Sequence, residues 1–228
     1  MKKTLIAVLL FAAAASAAAR DTTLNVDDSN GLPMARMEIG TASSAPPNEP
    51  RGGFAFELTV SGGSGDSRQD VGAGQRVSMG GIQVPGPQQI SNKATLRQLD
   101  ALVRWRTASE PWLLELLGGL SAVHYTFNSG FFRTDGQPVA GVLGVGGLWR
   151  VRPRTTLQAR YLVGKGVSSY TEDVGLDRFE LAVVQAFAKN FALRAGYTVW
   201  DTTIKPAEPN SELHLRLRGP MVGLDISF

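Results

Sequence analysis

The chain has 228 residues, of which 43% are hydrophobic, and its formal net charge is +3 at pH 7. This composition predicts one folded domain, since too much of the chain is apolar for disorder. The absence of cysteine from the sequence excludes disulfides, thiolate metal sites and cysteine nucleophiles. Subtracting Lys2 and Lys3, which lie in a predicted export signal, leaves a charge of +1 (3 − 2), which gives no reason to expect nucleic-acid binding.

Residues 1–19 have the three-part pattern of a secretory signal peptide. A cationic start at Lys2 and Lys3 is followed by an uncharged apolar run over residues 5–15 and then by small residues ending at Ala19. The apolar run is shorter than the roughly 20 residues that a membrane-spanning helix needs. We therefore expect residues 1–19 to be cleaved during export of a bacterial protein.

Residues 20–51 are predicted to form an N-terminal extension, and one part of it alternates in polarity. Within residues 32–41, Met37 and Ile39 oppose Arg36, which is compatible with a strand. The remainder of the extension is polar or rich in proline, and it separates this segment from the main domain, which we assign to residues 52–228.

From Phe54 onward, large apolar residues alternate with small or polar ones, which is the period of a strand with two different faces. In the first segment Phe54 and Phe56 lie on one face and Glu57 on the other. The sequence predicts eight such strands, within residues 54–60, 96–106, 112–126, 139–151, 155–165, 178–188, 191–200 and 213–228. In the last strand the apolar set changes face at Gly219-Pro220, where we expect a β-bulge that keeps one face outward.

The connections between these segments differ in length in a regular order. Tight turns at 109–111, 152–154 and 189–190 alternate with long polar connections at 61–95, 128–138, 166–177 and 205–211. This order is typical of a transmembrane barrel with short turns on one side and long loops on the other. Two aromatic girdles are predicted, one near the tight turns (Phe54, Phe56, Trp105, Trp112, Trp149, Phe187, Phe191 and Phe228) and one towards the loops (Tyr125, Phe127, Tyr161, Tyr197 and Trp200).

The number of strands depends on how residues 32–41 and 61–95 are interpreted. A closed ring with only antiparallel neighbours needs an even number of strands. A strand at 32–41 would therefore need another, which residues 76–84 could supply, giving ten strands. Because residues 61–95 are rich in Gly, Pro, Ser and Gln, we predict a surface loop there and eight strands, with ten as the alternative.

Taken together, the signal peptide, the eight two-faced segments and the ending at residues 221–228 resemble a small Gram-negative outer-membrane β-barrel of the OmpA-transmembrane-domain type. The resemblance implies an all-β, antiparallel, up-and-down transmembrane barrel, a monomer in the bacterial outer membrane. It also implies that the last segment, alternating in polarity and closing on Phe228, is the signal read by the barrel-assembly machinery. That segment is expected to pair with residues 54–60 and close the barrel.

Charged side chains on the polar faces of the strands cannot face lipid without a cost of about 2–4 kcal/mol each at the bilayer midplane. They are therefore expected to point inward, to pair, and to fill a barrel that is just wide enough for side chains. The predicted interior network contains Glu57, Asp100, Arg104, Arg106, Glu115, Arg150, Arg160, Arg178, Glu180, Arg194, Arg216 and Arg218.

These features favour a structural or surface-binding outer-membrane protein with a filled interior. One alternative is a narrow channel or carrier for small solutes. A less favoured one is a lipid-modifying enzyme that uses His124, with Thr126 beside it on the lipid side. No catalytic, cofactor or metal residues are predicted. The expected partners are outer-membrane lipid, the assembly machinery and lipopolysaccharide, whose phosphates are expected to contact cations at the external strand ends, namely Lys93, Arg97, Lys165 and Lys205.

Overall fold

The computed structural model describes residues 22–26, 28–29, 32–40, 52–79, 82–107, 111–130, 133–168, 171–206 and 213–227. The predicted signal peptide, residues 1–19, and the predicted assembly residue, Phe228, lie outside the described residues. Within those ranges every regular element is a strand. None of the described residues belongs to a helix that is long and apolar enough to cross a membrane.

The described residues form fourteen strands, most of them at the predicted segments. Their bounds are β1 (Thr22–Val26), β2 (Asp28–Ser29), β3 (Leu32–Gly40), β4 (Gly53–Val71), β5 (Arg76–Met79), β6 (Ile82–Pro85), β7 (Gln88–Arg106), β8 (Trp112–Asn128), β9 (Arg133–Gly136), β10 (Val139–Arg152), β11 (Thr155–Ser168), β12 (Thr171–Ala186), β13 (Phe191–Pro206) and β14 (Leu213–Ser227).

One large sheet closes into a ring of nine strands. Eight of them, β4, β7, β8 and β10 to β14, pair antiparallel in chain order, and β3 lies between β14 and β4. The ring therefore has neither the eight strands of the prediction nor the ten of its alternative. The reason is that β3 pairs antiparallel with β4 but parallel with β14, and one parallel junction removes the need for an even number. The last strand thus meets β3, and not residues 54–60 as expected.

The long connection predicted at residues 61–95 is mostly strand. β4 and β7 are each 19 residues long and stay in register from Gly53↔Arg106 to Val71↔Gln88. Polarity alternates along these polar extensions too, and Ile90 is buried there with Val71 and Val84. β5 and β6 pair antiparallel with each other in a separate two-stranded sheet and are not part of the ring.

In β14 the structure corrects the predicted change of face. The register with β13 runs without interruption from Phe191↔Ile226 to Ile204↔Leu213, so no bulge occurs at Gly219-Pro220. As a result Leu215 and Leu217 point inward and are buried, whereas Arg216 and Arg218 are exposed. The prediction that these two arginines belong to the interior network is therefore wrong. It assumed a polar interior along the whole strand, but the interior is apolar at this height.

The loop-side aromatic girdle is also smaller than predicted. Tyr161 and Tyr197 are exposed on the outer face, but Tyr125, Phe127 and Trp200 point inward and are buried. The girdle beside the tight turns has the predicted outward aromatic residues, and Trp112 and Trp149 of neighbouring strands stack there with ring centroids 5.2 Å apart; Phe228 is outside the described residues. We call the edge of the ring with the tight turns the turn end, and the opposite edge the loop end.

Candidate functional site

The ring interior is filled by side chains at two levels. Nearer the turn end is a chain of ion pairs, called here the ion cluster. It contains Arg36, Glu57, Arg104, Arg106, Glu115, Gln158, Arg160, Glu180, Arg194 and Asp225, all buried. Nearer the loop end is an apolar cluster that includes Leu96, Val123, Phe127, Val142, Leu162, Leu176, Trp200, Leu217 and Met221.

Arg160 on β11 is at the centre of the ion cluster. Its Nη1 donates to Glu57 Oε1 at 2.7 Å and its Nη2 to Glu57 Oε2 at 3.0 Å, which is a bidentate pair. Its Nε donates to Glu115 Oε2 at 2.9 Å. Gly146 on the adjacent strand leaves room for this junction, since a Cβ there would lie 2.9 Å from Glu115 Oε2 and 3.0 Å from Arg160 Cγ. One arginine thus joins strands β4, β8 and β11 across the interior.

Arg36 of β3 continues the chain of ion pairs, and the predicted network did not include it. Its Nε lies 3.0 Å from Glu57 Oε1, and its Nη2 donates to Glu180 Oε2 at 3.2 Å. Glu180 also accepts from Arg194 Nη1 at 2.6 Å, and Arg194 makes a bidentate pair with Asp225. The signal that would have revealed Arg36 was its position opposite Met37 in the alternating segment 32–41.

A second polar bridge crosses the ring nearer the apolar cluster. Arg178 Nη1 donates to Asp100 Oδ2 at 2.6 Å, joining β12 to β7. Gln98 Nε2 donates to Asp100 Oδ1 and to Ser121 Oγ, both at 2.7 Å. All four side chains are buried. The bridge therefore fixes the distance between opposite walls of the ring.

The structure brings most members of the predicted interior network together. Those buried inside the ring are Glu57, Asp100, Arg104, Arg106, Glu115, Arg160, Arg178, Glu180 and Arg194. Arg150 is half-buried at the turn end, and Arg216 and Arg218 are on the outer face. Among the described residues that are buried, six arginines face five carboxylates. Arg36 joins the predicted set, the three arginines above leave it, and Asp225, which the alternation also places on the inner face of β14, is buried.

The outer face of the ring is apolar over a continuous belt. Large hydrophobic side chains are exposed on each of the eight antiparallel strands, for example Leu143 at 69% and Leu114 at 64%. The outward positions carry no charged residue over residues 54–60, 99–105, 112–122, 139–151, 155–163, 179–187, 191–199 and 220–226. Within these ranges the charged residues are all on the inner face, which reverses the usual distribution in water-soluble proteins.

Charged residues reappear on the outer face at the loop end of the belt. Lys93, Arg97 and Lys165, which are predicted to contact lipopolysaccharide, are exposed there. Lys205 is in β13, opposite Asp173, but its side chain lies outside what the structure describes. Arg216 joins this set, with its Nε 3.9 Å from Asp201 Oδ2. These cations therefore border the apolar belt on one side.

His124, the candidate of the enzyme alternative, is half-buried on the outer face near this border. Its Nδ1 accepts a hydrogen bond from Gln137 Nε2 at 3.1 Å, so its orienting partner is an amide and not a carboxylate. The described residues contain no group of three or more histidine or acidic side chains arranged to hold a metal ion.

No protein-family model, curated protein or solved structure matches this chain. The distribution of charge and apolar surface on the ring is therefore the main indication of what the chain does.

Proposed function

We propose that the chain is a bacterial outer-membrane β-barrel with a structural or surface-binding role and an interior closed by its own side chains. The observation that carries the proposal is the reversed polarity of the ring. An uncharged belt of exposed Leu, Val, Phe and Trp side chains surrounds a buried cluster of Arg, Glu and Asp. In water so large an exposed apolar surface is an aggregation hazard, whereas in lipid it is the favourable arrangement.

Strand lengths support the same proposal. The eight antiparallel strands have between 14 and 19 residues. A tilted strand crosses the hydrocarbon core with about 9–11 residues. Each strand is therefore long enough to span a bilayer and to extend beyond it, and the extensions are at the loop end, where the outward residues become polar.

The test is a pair of arginine substitutions on the outer face of β10. Leu143→Arg is in the middle of the belt and Val151→Arg is at its turn-end edge. For a barrel in lipid, Leu143→Arg costs about 2–4 kcal/mol of folding free energy and Val151→Arg about 0–1 kcal/mol. Urea titration of both variants in phospholipid vesicles measures the difference. Equal stabilities, as at a surface exposed to water, would refute the membrane placement.

The closed interior has its own test. Because the ion cluster and the apolar cluster fill the ring, we expect no large stable pore in planar-bilayer recordings of the refolded protein. Reproducible openings like those of a general porin would contradict this and favour the channel alternative. Outer-membrane fractionation of cells that produce the chain checks its location independently.

The proposed lipid partner is lipopolysaccharide, whose phosphates suit cations at the loop end of the belt. Replacing the predicted set (Lys93, Arg97, Lys165 and Lys205) with Gln should lower the lipopolysaccharide that co-purifies with the protein. The matched control replaces the exposed cations of the opposite edge, Arg152, Arg154 and Lys189. An equal loss in both variants would remove the claim of a specific edge.

The proposed assembly signal is Phe228. Deleting it should reduce insertion in cells much more than refolding yield in detergent, because only insertion in cells requires recognition by the assembly machinery. Phe228→Tyr, which keeps an aromatic end, is the control. The heat-dependent gel shift measures folded protein in both settings, and equal losses in both would mean that Phe228 contributes only to packing.

A further inference from the structure

The boundary between the ion cluster and the apolar cluster contains buried N–H groups that have no acceptor among the described residues. Arg178 of β12 and Trp200 of β13 are direct partners in the sheet register. Both point into the ring, with 1% and 2% of their surface exposed. Side chains at directly paired positions of neighbouring antiparallel strands lie within contact distance of each other.

The guanidinium of Arg178 donates hydrogen bonds to described residues from one side only. Its Nη1 donates to Asp100 Oδ2 at 2.6 Å, whereas Nε and Nη2 have no acceptor among the described residues. Nε–H and Nη2–H are on the same edge of the planar guanidinium, which is an edge that can bind a carboxylate through two parallel hydrogen bonds. The indole Nε1 of Trp200, which can only donate, also has no acceptor in the described part of the chain.

The surroundings restrict what such an acceptor can be. Glu180 is two residues from Arg178 on the same strand, and Asp100 is already bound to it, so a second negative charge on the ligand would be repelled. On the other side are Leu162, which is the register partner of Arg178 on β11, and Leu176, which is two residues from Arg178 on β12. Both leucines belong to the apolar cluster. The site therefore favours a single negative charge attached to a small apolar group.

We propose that Arg178 and Trp200 form a buried binding site for a small monocarboxylate. Both carboxylate oxygens accept from the free edge of Arg178, one of them also accepts from Trp200 Nε1, and the alkyl group packs against Leu162 and Leu176. Binding would satisfy three buried donors that have no acceptor in the described part of the chain, which is the reason to expect affinity. The inference concerns the ring interior and does not depend on the membrane placement.

The test uses the detergent-refolded protein with acetate as the probe and sodium chloride at equal ionic strength as the reference. We expect the Tm to rise with acetate concentration, and the indole N–H resonance of Trp200 in ¹⁵N-labelled protein to shift with saturation. Trp105, Trp112 and Trp149 are exposed on the outer face, and their resonances should not move. Propionate should bind at least as well as acetate, because its extra methylene reaches the apolar cluster.

Two variants locate the effect. Trp200→Phe keeps an aromatic ring and removes only the N–H donor, so acetate should stabilise it less than the unmodified protein. Arg178→Lys keeps the charge but loses the two-donor edge and should abolish the acetate response. The gel shift of folded protein first establishes that each variant folds. Arg152→Gln, which removes an exposed arginine at the turn end, is the control and should keep the full response.

Three results would overturn the inference. An equal response to chloride would show a nonspecific anion effect and not carboxylate recognition. No response to acetate in the unmodified protein would mean that water or another part of the chain satisfies these donors. An undiminished acetate response in folded Arg178→Lys and Trp200→Phe would place the carboxylate elsewhere.

Discussion

Removal of the Glu115 charge is the most direct test of the ion cluster. Its Oε2 accepts from Arg160 Nε and from Gln158 Nε2, both at 2.9 Å, and its Oε1 accepts from Arg106 Nε at 3.1 Å. The side chain has no exposed surface. Breaking a buried ion pair by removing one partner costs about 3–5 kcal/mol, because the other charge stays buried without compensation. Since two arginines lose a hydrogen-bonded carboxylate at once, we expect Glu115→Gln to cost at least about 3 kcal/mol.

A loss of this size is a large fraction of the 5–15 kcal/mol that typically stabilises a folded protein, so it is easy to measure. The assay is urea unfolding in vesicles, followed by tryptophan fluorescence. Glu115→Ala should lose more, because a cavity is added to the missing charge. The surface control is Asp201→Asn, whose ion pair with Arg216 is 3.9 Å long with side chains 36% and 47% exposed, and it should cost about 0–1 kcal/mol. If Glu115→Gln costs no more than this control, the ion cluster does not stabilise the ring.

Two further predictions concern the packing and the closure of the ring. Gly146→Ala should destabilise by about 1–3 kcal/mol through overpacking at the ion cluster, whereas the neighbouring Gly147→Ala, with nothing within 4 Å, should be neutral or slightly stabilising; thermal unfolding of both variants compares them. Met37→Cys with Ile226→Cys, which are register partners in the parallel junction, should form a disulfide in a chain that has no other cysteine. Met37→Cys with Val222→Cys, about 13 Å out of register, should not, and the opposite result on a non-reducing gel would contradict the nine-strand closure.

Residue alternation was enough to predict the all-β class and most of the inner and outer faces. Glu57 lies between Phe56 and Leu58, so the alternation predicts that it faces inward, and the structure buries it there. The prediction works because a strand has a fixed period of two. The alternation does not predict which inward charges pair with each other, since the side chains that meet come from strands far apart in the sequence. Arg160 and Glu57, for example, are 103 residues apart. Their meeting depends on ring closure, which no local pattern encodes.

The errors have a common physical origin. In β14 either alternating set could face inward, and the choice depends on what the other strands present at the same height. Leu217 faces inward because its neighbours there include its register partner Trp200 and Met221, all in one apolar cluster. Arg216 is predicted to face inward only if the whole interior has one polarity, and the interior of this ring has two. The two-level interior emerges only when the strands are aligned.

The closure of the ring depends on the same side chains that fill it. β3 meets β14 in a parallel register over residues 32–38 and 221–227, a junction about half as long as that of β14 with β13. Parallel pairing is also slightly less stable per residue than antiparallel pairing. Arg36 compensates on the inner side, because it ties β3 to Glu57 on one neighbouring strand and to Glu180 across the interior. The ion cluster therefore fills the ring and also holds β3, which makes the two shortest junctions of the ring. A variant that loses charge inside the ring should therefore also lose the pairing of β3 with its neighbours.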